Sequence, residues 1–190
     1  MGTTAKPYGL PCLIRLFRFA CSLISPSPTT STTDNGTGLL GGNTETMRHL
    51  GLRLVNTILE TRGSAFVDYG SLLAIVKDDL CKFLLQNLTT DNLPILALTL
   101  RVFFNLFTTS LKFELKFQME VFFNNILICI MENKSATFEK QEIALECLVE
   151  FCREPSFMLD LYLNYDCLLH CTNLFENLSK FLYKVCNLSL

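Results

Sequence analysis

The chain has 190 residues, 49% of them hydrophobic, and a positive mean hydropathy, enough to bury one sizeable core and too much for disorder throughout. Its 16 basic and 18 acidic residues are scattered and leave a formal charge of -2, so nucleic-acid binding through a basic face has no support in composition. Nine cysteines, an odd number without a secretory signal pattern ahead of them, argue for reduced thiols and the cytosol rather than a disulfide framework, and the sequons at Asn35, Asn87, Asn133, Asn177 and Asn187 then read as chance.

In chain order, residues 1–10 read as a tail. Pro11 suits the first turn of a helix running to about Ile24, with Leu13, Leu16, Phe17, Ala20 and Ile24 on one side and Arg15 and Arg18 on the other. Residues 25–46 are rich in Ser, Thr, Pro and Gly and read as a flexible loop, an insertion between two helices that buries little. Met47 to Arg62 carries Leu50, Leu54, Val55, Ile58 and Leu59 at helical spacing, with Gly63 as its C-cap. Ser71 is expected to cap a third helix to about Asn87.

Asn92 is expected to cap the next helix, with Pro94 in its first turn and an apolar surface so broad that it should be nearly enclosed. This segment is long enough to span a bilayer, but Arg101 at its centre would cost roughly 2.5–3.5 kcal/mol there, so a buried helix with Arg101 reaching the surface or pairing with a carboxylate is the better reading. Lys112 to Glu120 alternates like a strand, yet Phe113 with Phe117 and Leu115 with Met119 also fit i,i+4, and helix is expected because no partner strand exists elsewhere. A helix from about Thr137 follows, carrying Ile143, Ala144, Leu148 and Phe151. Another opens at Pro155, and the last carries Leu174, Leu178, Phe181, Leu182 and Val185.

The most informative stretch is Pro155 to Cys171. The helix opened by Pro155 runs into Asn164 and Asp166, whose short polar side chains favour helix ends, so it should stop near Asn164. Asp166 is placed to cap the following helix, and Tyr165 to bury its ring and offer its hydroxyl to a polar partner.

Asn164-Tyr165-Asp166-Cys167, preceded by Pro155-Ser156-Phe157 and Leu161-Tyr162, resembles the HUS box of the large Arf guanine nucleotide exchange factors. The similarity extends over nearly the whole chain, through Gly9-Leu10-Pro11-Cys12, Leu16-Phe17-Arg18-Phe19, Val76-Lys77-Asp78-Asp79, Leu100-Arg101-Val102, Leu111-Lys112-Phe113 with Phe117-Gln118, and Asn173-Leu174-Phe175-Glu176, and it favours the Golgi brefeldin A-resistant branch. The resemblance implies an all-α, armadillo-like helical repeat of about eight helices occupying residues 11–190, upstream of a catalytic Sec7 domain that this chain lacks. It further implies a non-catalytic regulatory role: association with the DCB domain of the same or a second chain, dimerisation, and recruitment to Golgi membranes, with Arf and Rab-type GTPases as indirect partners. The box residues Asn164, Tyr165, Asp166 and Cys167 are the candidate partner-binding site, set against a purely local role at a helix junction.

Independent chemistry is nearly absent. No phosphate-cradling glycine loop is present, and neither His49 nor His170 sits in a signature that would place it beside a nucleophile and an orienting acid. Cys167, His170 and Cys171 have metal-like spacing on what reads as the first turn of a helix, but a closed zinc site needs a fourth ligand, and packing is the expected role. No catalytic residue, cofactor or metal is expected. The alternatives are a stand-alone helical scaffold of vesicle traffic and, from another class, a small helical enzyme or metal protein.

Overall fold

A computed structural model describes residues 9–26 and 45–188. Its regular structure is helical, without strands among the described residues. The expected loop at residues 25–46 and the tail at 1–10 fall largely outside the described residues.

Helix α1 is Leu10–Ile24, with Pro11 in its first turn as expected. Helix α2, Glu45–Arg62, starts two residues before the expected Met47 and passes directly into the 3-10 turn Gly63–Phe66, so Gly63 opens a tighter turn instead of capping. Helix α3 runs from Gly70–Ile75 through the π turn Val76–Leu80 into Cys81–Asn87. Ser71 therefore lies inside its first turn and caps nothing; Tyr69 holds the N-cap position. Helix α4 is Leu93–Thr108, and the Asn92 side chain accepts the Ile95 amide at 3.1 Å, as the sequence indicated.

After the 3-10 turn Ser110–Phe113, helix α5 comprises Lys116–Val121, the π turn Phe122–Leu127 and Ile128–Glu132. The helical reading of this segment holds from Lys116 onward, while the preceding residues take the tighter turn. Helix α6 is Phe138–Arg153, capped by the Thr137 hydroxyl, which accepts the Lys140 amide. Helix α7 consists of Phe157–Leu161 and the π turn Tyr162–Asp166, and helix α8 is Leu174–Leu188.

The π turns supply a period that the residue pattern conceals. They occupy α3, α5 and α7, every second helix, and begin at Val76, Phe122 and Tyr162; from 76 to 122 is 46 residues and from 122 to 162 is 40. Armadillo-type helical repeats recur at about 40–47 residues. Each inserted residue in a π turn widens the helix locally, and such turns concentrate at special sites.

The chain divides into two compact units between Val102 and Phe103, within α4. In the first, α1 packs along α2 at close range. A Cβ on Gly51 would lie 2.8 Å from the Leu23 Cβ and 3.2 Å from the Ala20 carbonyl, so only glycine permits this approach. Phe17 meets Phe66 edge to face, with ring centroids 4.8 Å apart. Asn87, fully buried, ties the unit together: its Nδ2 donates to the carbonyls of Ile24 at 2.9 Å and Phe83 at 2.8 Å, and its Oδ1 accepts from the Arg48 guanidinium. Every polar atom of this amide is used, as burial demands. Arg101 reaches the surface and pairs there with Glu60 at 3.7 Å, combining the two roles foreseen for it.

The second unit is built around phenylalanine. Phe103 and Phe107 of α4 meet Phe122 of α5, at 4.4 and 5.5 Å between centroids, and Phe151 of α6 meets Phe104, Phe123 and Phe157 at 5.1 Å each. Edge-to-face and tilted pairs at these separations add about 0.5–1.5 kcal/mol each beyond the area they bury. This cluster fixes α5, α6 and α7 and so holds the segment in which the box residues lie.

Candidate functional site

The box occupies the π turn that ends α7, together with the first residue beyond it. The helix stops two residues beyond Asn164, at Asp166, close to where the sequence indicated. Asn164 stays within it because its Nδ2 donates to the Asp160 carbonyl one turn back at 2.8 Å, the local bond that makes asparagine tolerable away from a helix end. The π closure itself is visible where the Cys167 amide donates to the Tyr162 carbonyl at 3.0 Å.

Tyr165 behaves as its sequence context indicates. Its ring is 2% exposed and its hydroxyl donates to the Lys116 carbonyl at 3.0 Å, joining α7 to the start of α5. Burial pushes the phenol above its ordinary range, with the neighbouring Cys171 and Glu120 adding to the shift. It is a fixed donor, unsuited to proton transfer near neutral pH.

Asp166 caps the following helix, but across a longer gap than the sequence suggested. The segment 167–173 is a turn, and α8 begins only at Leu174. Asp166 Oδ1 accepts the Phe175 amide at 2.9 Å and Oδ2 accepts the Glu176 amide at 3.0 Å, so both carboxylate oxygens serve the positive end of α8. Tyr162 adds a second tie, edge to face with Phe175 at 5.7 Å.

Cys167 is exposed and lies in the turn, as do Leu168, Leu169 and His170, with Leu169 fully exposed. The expectation that Cys167, His170 and Cys171 share the first turn of a helix is therefore corrected, and no cluster of ligating side chains able to hold a metal occurs among the described residues. The buried cysteines, Cys21 and Cys81, have thiols pushed up to about 12, chiefly by burial, which makes them packing groups rather than nucleophiles.

The turn 167–173 is pinned by residues that sequence reasoning did not single out. Glu120 Oε1 accepts the Thr172 amide at 3.3 Å, Asn124 Nδ2 donates to the Thr172 hydroxyl at 2.9 Å, and Asn177 Nδ2 donates to Asn124 Oδ1 at 3.1 Å. The partners lie some fifty positions apart, a separation that no local spacing reveals. Beside the junction, Lys112 from the 3-10 turn pairs with Asp160 at 2.5 Å, across a cleft floored by Phe107, Met119, Phe157 and Leu161. The cleft offers about 30 Å³, room for a water molecule or two and no more.

The structure is thus an all-helical segment in which a polar junction joins one helix to the next. Sequence comparisons identify its family. Residues 9–174 match the family described as Mon2/Sec7/BIG1-like, HUS domain, and the chain belongs to that family of large Arf exchange-factor domains. It is 37% identical over 187 residues to a Golgi-specific brefeldin A-resistance guanine nucleotide exchange factor 1 homolog of Caenorhabditis elegans, covering 95% of this chain and 9% of that protein. It is 33% identical over 186 residues to the ARF guanine-nucleotide exchange factor GNOM of Arabidopsis thaliana, covering 94% of this chain and 12% of that protein. Brefeldin A-inhibited guanine nucleotide-exchange protein 1 of Rattus norvegicus is 32% identical over 136 residues, 72% of this chain and 7% of that protein. The resemblance to the Golgi brefeldin A-resistant branch is thus borne out, and the chain spans about a tenth of the length of these relatives. The matched region is the HUS domain, not the Sec7 catalytic domain. No described helix is long and apolar enough to cross a membrane.

Proposed function

We propose that this chain is a non-catalytic association module of a Golgi Arf guanine nucleotide exchange factor. It binds a DCB domain, in the same or a second chain, and through that contact supports dimerisation and peripheral recruitment to Golgi membranes in vesicle-mediated transport. Arf and Rab-type GTPases are reached indirectly, through the rest of the parent protein. The family match over residues 9–174 carries this reading.

The box residues Asn164, Tyr165, Asp166 and Cys167 contribute to partner binding in this proposal by two routes. Three of them spend their side-chain bonds inside the unit, and so hold α8 and the turn 167–173 in place. Cys167, with Leu168 and Leu169, is the part a partner can touch. The test is co-purification with a family DCB domain, comparing wild type, an Asn164→Ala/Asp166→Ala pair and Leu169→Ser, each checked for folding by circular dichroism. Binding lost in the folded variants supports the module and its site. Equal binding by all three reduces the box to a structural corner, and absence of binding by wild type sinks the reading.

A further inference from the structure

Outside the box, the exposed side of the α1–α2 pair carries a run of large apolar side chains among the described residues. On α1, Leu16, Phe19 and Leu23 follow one another at i, i+3 and i+7; on α2, Leu50, Leu54 and Ile58 do so at i, i+4 and i+8. These spacings place each set in one stripe. Gly51 joins the stripes, because it is the point where α2 comes against Leu23, the last member of the α1 stripe, and Leu50 and Leu54 flank it on α2. Leu16 and Phe19 are each 57% exposed, Leu50 47% and Leu54 42%, whereas Leu23 and Ile58 lie lower, at intermediate exposure. The result is an apolar trough between two helices, with large side chains on its shoulders.

Its rims are basic. Arg15 and Arg18 border the α1 stripe and Arg53 borders the α2 stripe; all three are exposed and none has a carboxylate partner among the described residues. Helix α1 contains no acidic residue at all. The α2 carboxylates are engaged elsewhere, Glu45 with Asn92 and Glu60 with Asn56 and Arg101.

We infer that the α1–α2 trough is a docking groove for an acidic amphipathic helix, whose apolar ridge fills the trough while its flanking carboxylates pair with Arg15, Arg18 and Arg53. Laying one apolar helix face into a groove is a general recognition mode, read as anchors at i, i+3 or i+4 and i+7, the spacing this trough presents. A lipid bilayer fits less well: a flat surface meets the shoulders and leaves Leu23 and Ile58, down in the trough, uncovered. The inference rests on the reading of the chain as an association module and names the chemistry of what it associates with.

The experiment uses the full chain and two synthetic helical peptides with identical leucine ridges, one flanked by glutamate and one by lysine. Fluorescence anisotropy should show binding of the glutamate peptide, weakening as salt rises and by about tenfold in an Arg15→Glu/Arg18→Glu variant, which binds the lysine peptide better than wild type does. Because these arginines are exposed the variant should fold, and a Leu16→Ser/Leu54→Ser pair checks the apolar half independently. Equal affinity for both peptides, no affinity for either, capture by phosphatidylserine vesicles in place of the glutamate peptide, or self-association abolished by the leucine substitutions would each overturn the inference. Co-purification with a DCB domain in parallel separates the two claims. Retained DCB binding without peptide binding removes the groove alone, whereas peptide binding without DCB binding removes the association module and keeps the groove.

Discussion

Replacing Asp166 by alanine tests the junction most directly. In the structure both oxygens of this carboxylate accept backbone amides from the second and third residues of α8, Phe175 at 2.9 Å and Glu176 at 3.0 Å. Losing a helix cap costs about 1–2 kcal/mol in a folded protein, and losing the negative charge at the positive end of the helix about 0.3–1 kcal/mol more. The junction is only half-buried, so water can replace part of what is lost, which keeps the total near about 2 kcal/mol rather than the larger cost of an orphaned buried group. For a domain of this size each kcal/mol moves the melting temperature by about 2–4 °C, giving a drop of roughly 4–8 °C, while Asp166→Asn, which keeps one acceptor, loses about half as much. Hydrogen exchange should localise the effect, with the amides of Phe175 and Glu176 exchanging roughly thirtyfold faster and those of α4 little changed. Unchanged exchange at these two amides, together with an unchanged melting temperature, would refute the assignment of Asp166 as the cap of α8.

Four further substitutions probe the rest of the framework. Gly51→Ala forces a Cβ to within 2.8 Å of the Leu23 Cβ and should cost about 1–3 kcal/mol by denaturant unfolding, since the obstacle is a rigid Cβ on a packed helix. Asn87→Ala abandons the Ile24 and Phe83 carbonyls and the Arg48 guanidinium in a buried position, for an expected loss of about 2–3 kcal/mol in the same assay. Tyr165→Phe removes only the bond to the Lys116 carbonyl, and should cost about 1 kcal/mol while leaving the circular dichroism spectrum unchanged. Asp160→Asn addresses pH: the hydrogen bond from Lys112 holds the Asp160 carboxyl below its ordinary range, so folding favours the ionised form. That stabilisation is complete above the unfolded-state value and is lost as pH falls through the folded one, so the gap in stability between wild type and variant should close below about pH 4.

The helices were legible because their apolar spacing is regular and their starts carry recognisable residues. Asn92 caps where its side chain suggests, the helix expected from about Thr137 begins there, and Pro11 lies in the first turn of α1. The boundaries that sequence reasoning misplaced are those where two local rules compete. Ser71 has the chemistry of a cap, but α3 starts a residue earlier; Asn164 marks the helix end only to within two residues, because its side chain bonds back into its own helix, which runs on to Asp166. Of the box, the burial of Tyr165 and the capping role of Asp166 could be read from residue type. The distance over which Asp166 acts could not, because the turn from Cys167 to Asn173 is held by Glu120 and Asn124 on another helix. The hub at Asn87 was hidden for the same reason: its partners lie on α1 and α2, and an asparagine near a helix end looks ordinary in one dimension.

The π turns bear on how a partly buried box would act on a partner under the proposed function. A π turn widens the helix that carries it, and at Tyr162–Asp166 this occurs in the last turn before the chain must redirect into α8. The body of α8 is anchored through Leu174, Leu178 and Phe181, all buried, so it should stay docked when the box is altered. Its first turn adds polar and aromatic fixings to the buried Leu174, namely Asp166, the Tyr162 ring and the bonds at Thr172, and the exposed segment Cys167 to His170 hangs between them. Substitution in the box therefore acts first on the order of that segment and only secondarily on the fold. A partner that reads Cys167, Leu168 and Leu169 would lose affinity through the entropy of re-ordering them, at about 1–2 kcal/mol per backbone residue fixed. On that account a box variant and a Leu169 variant weaken the same contact by different means, and combining them should cost less than the sum of the two.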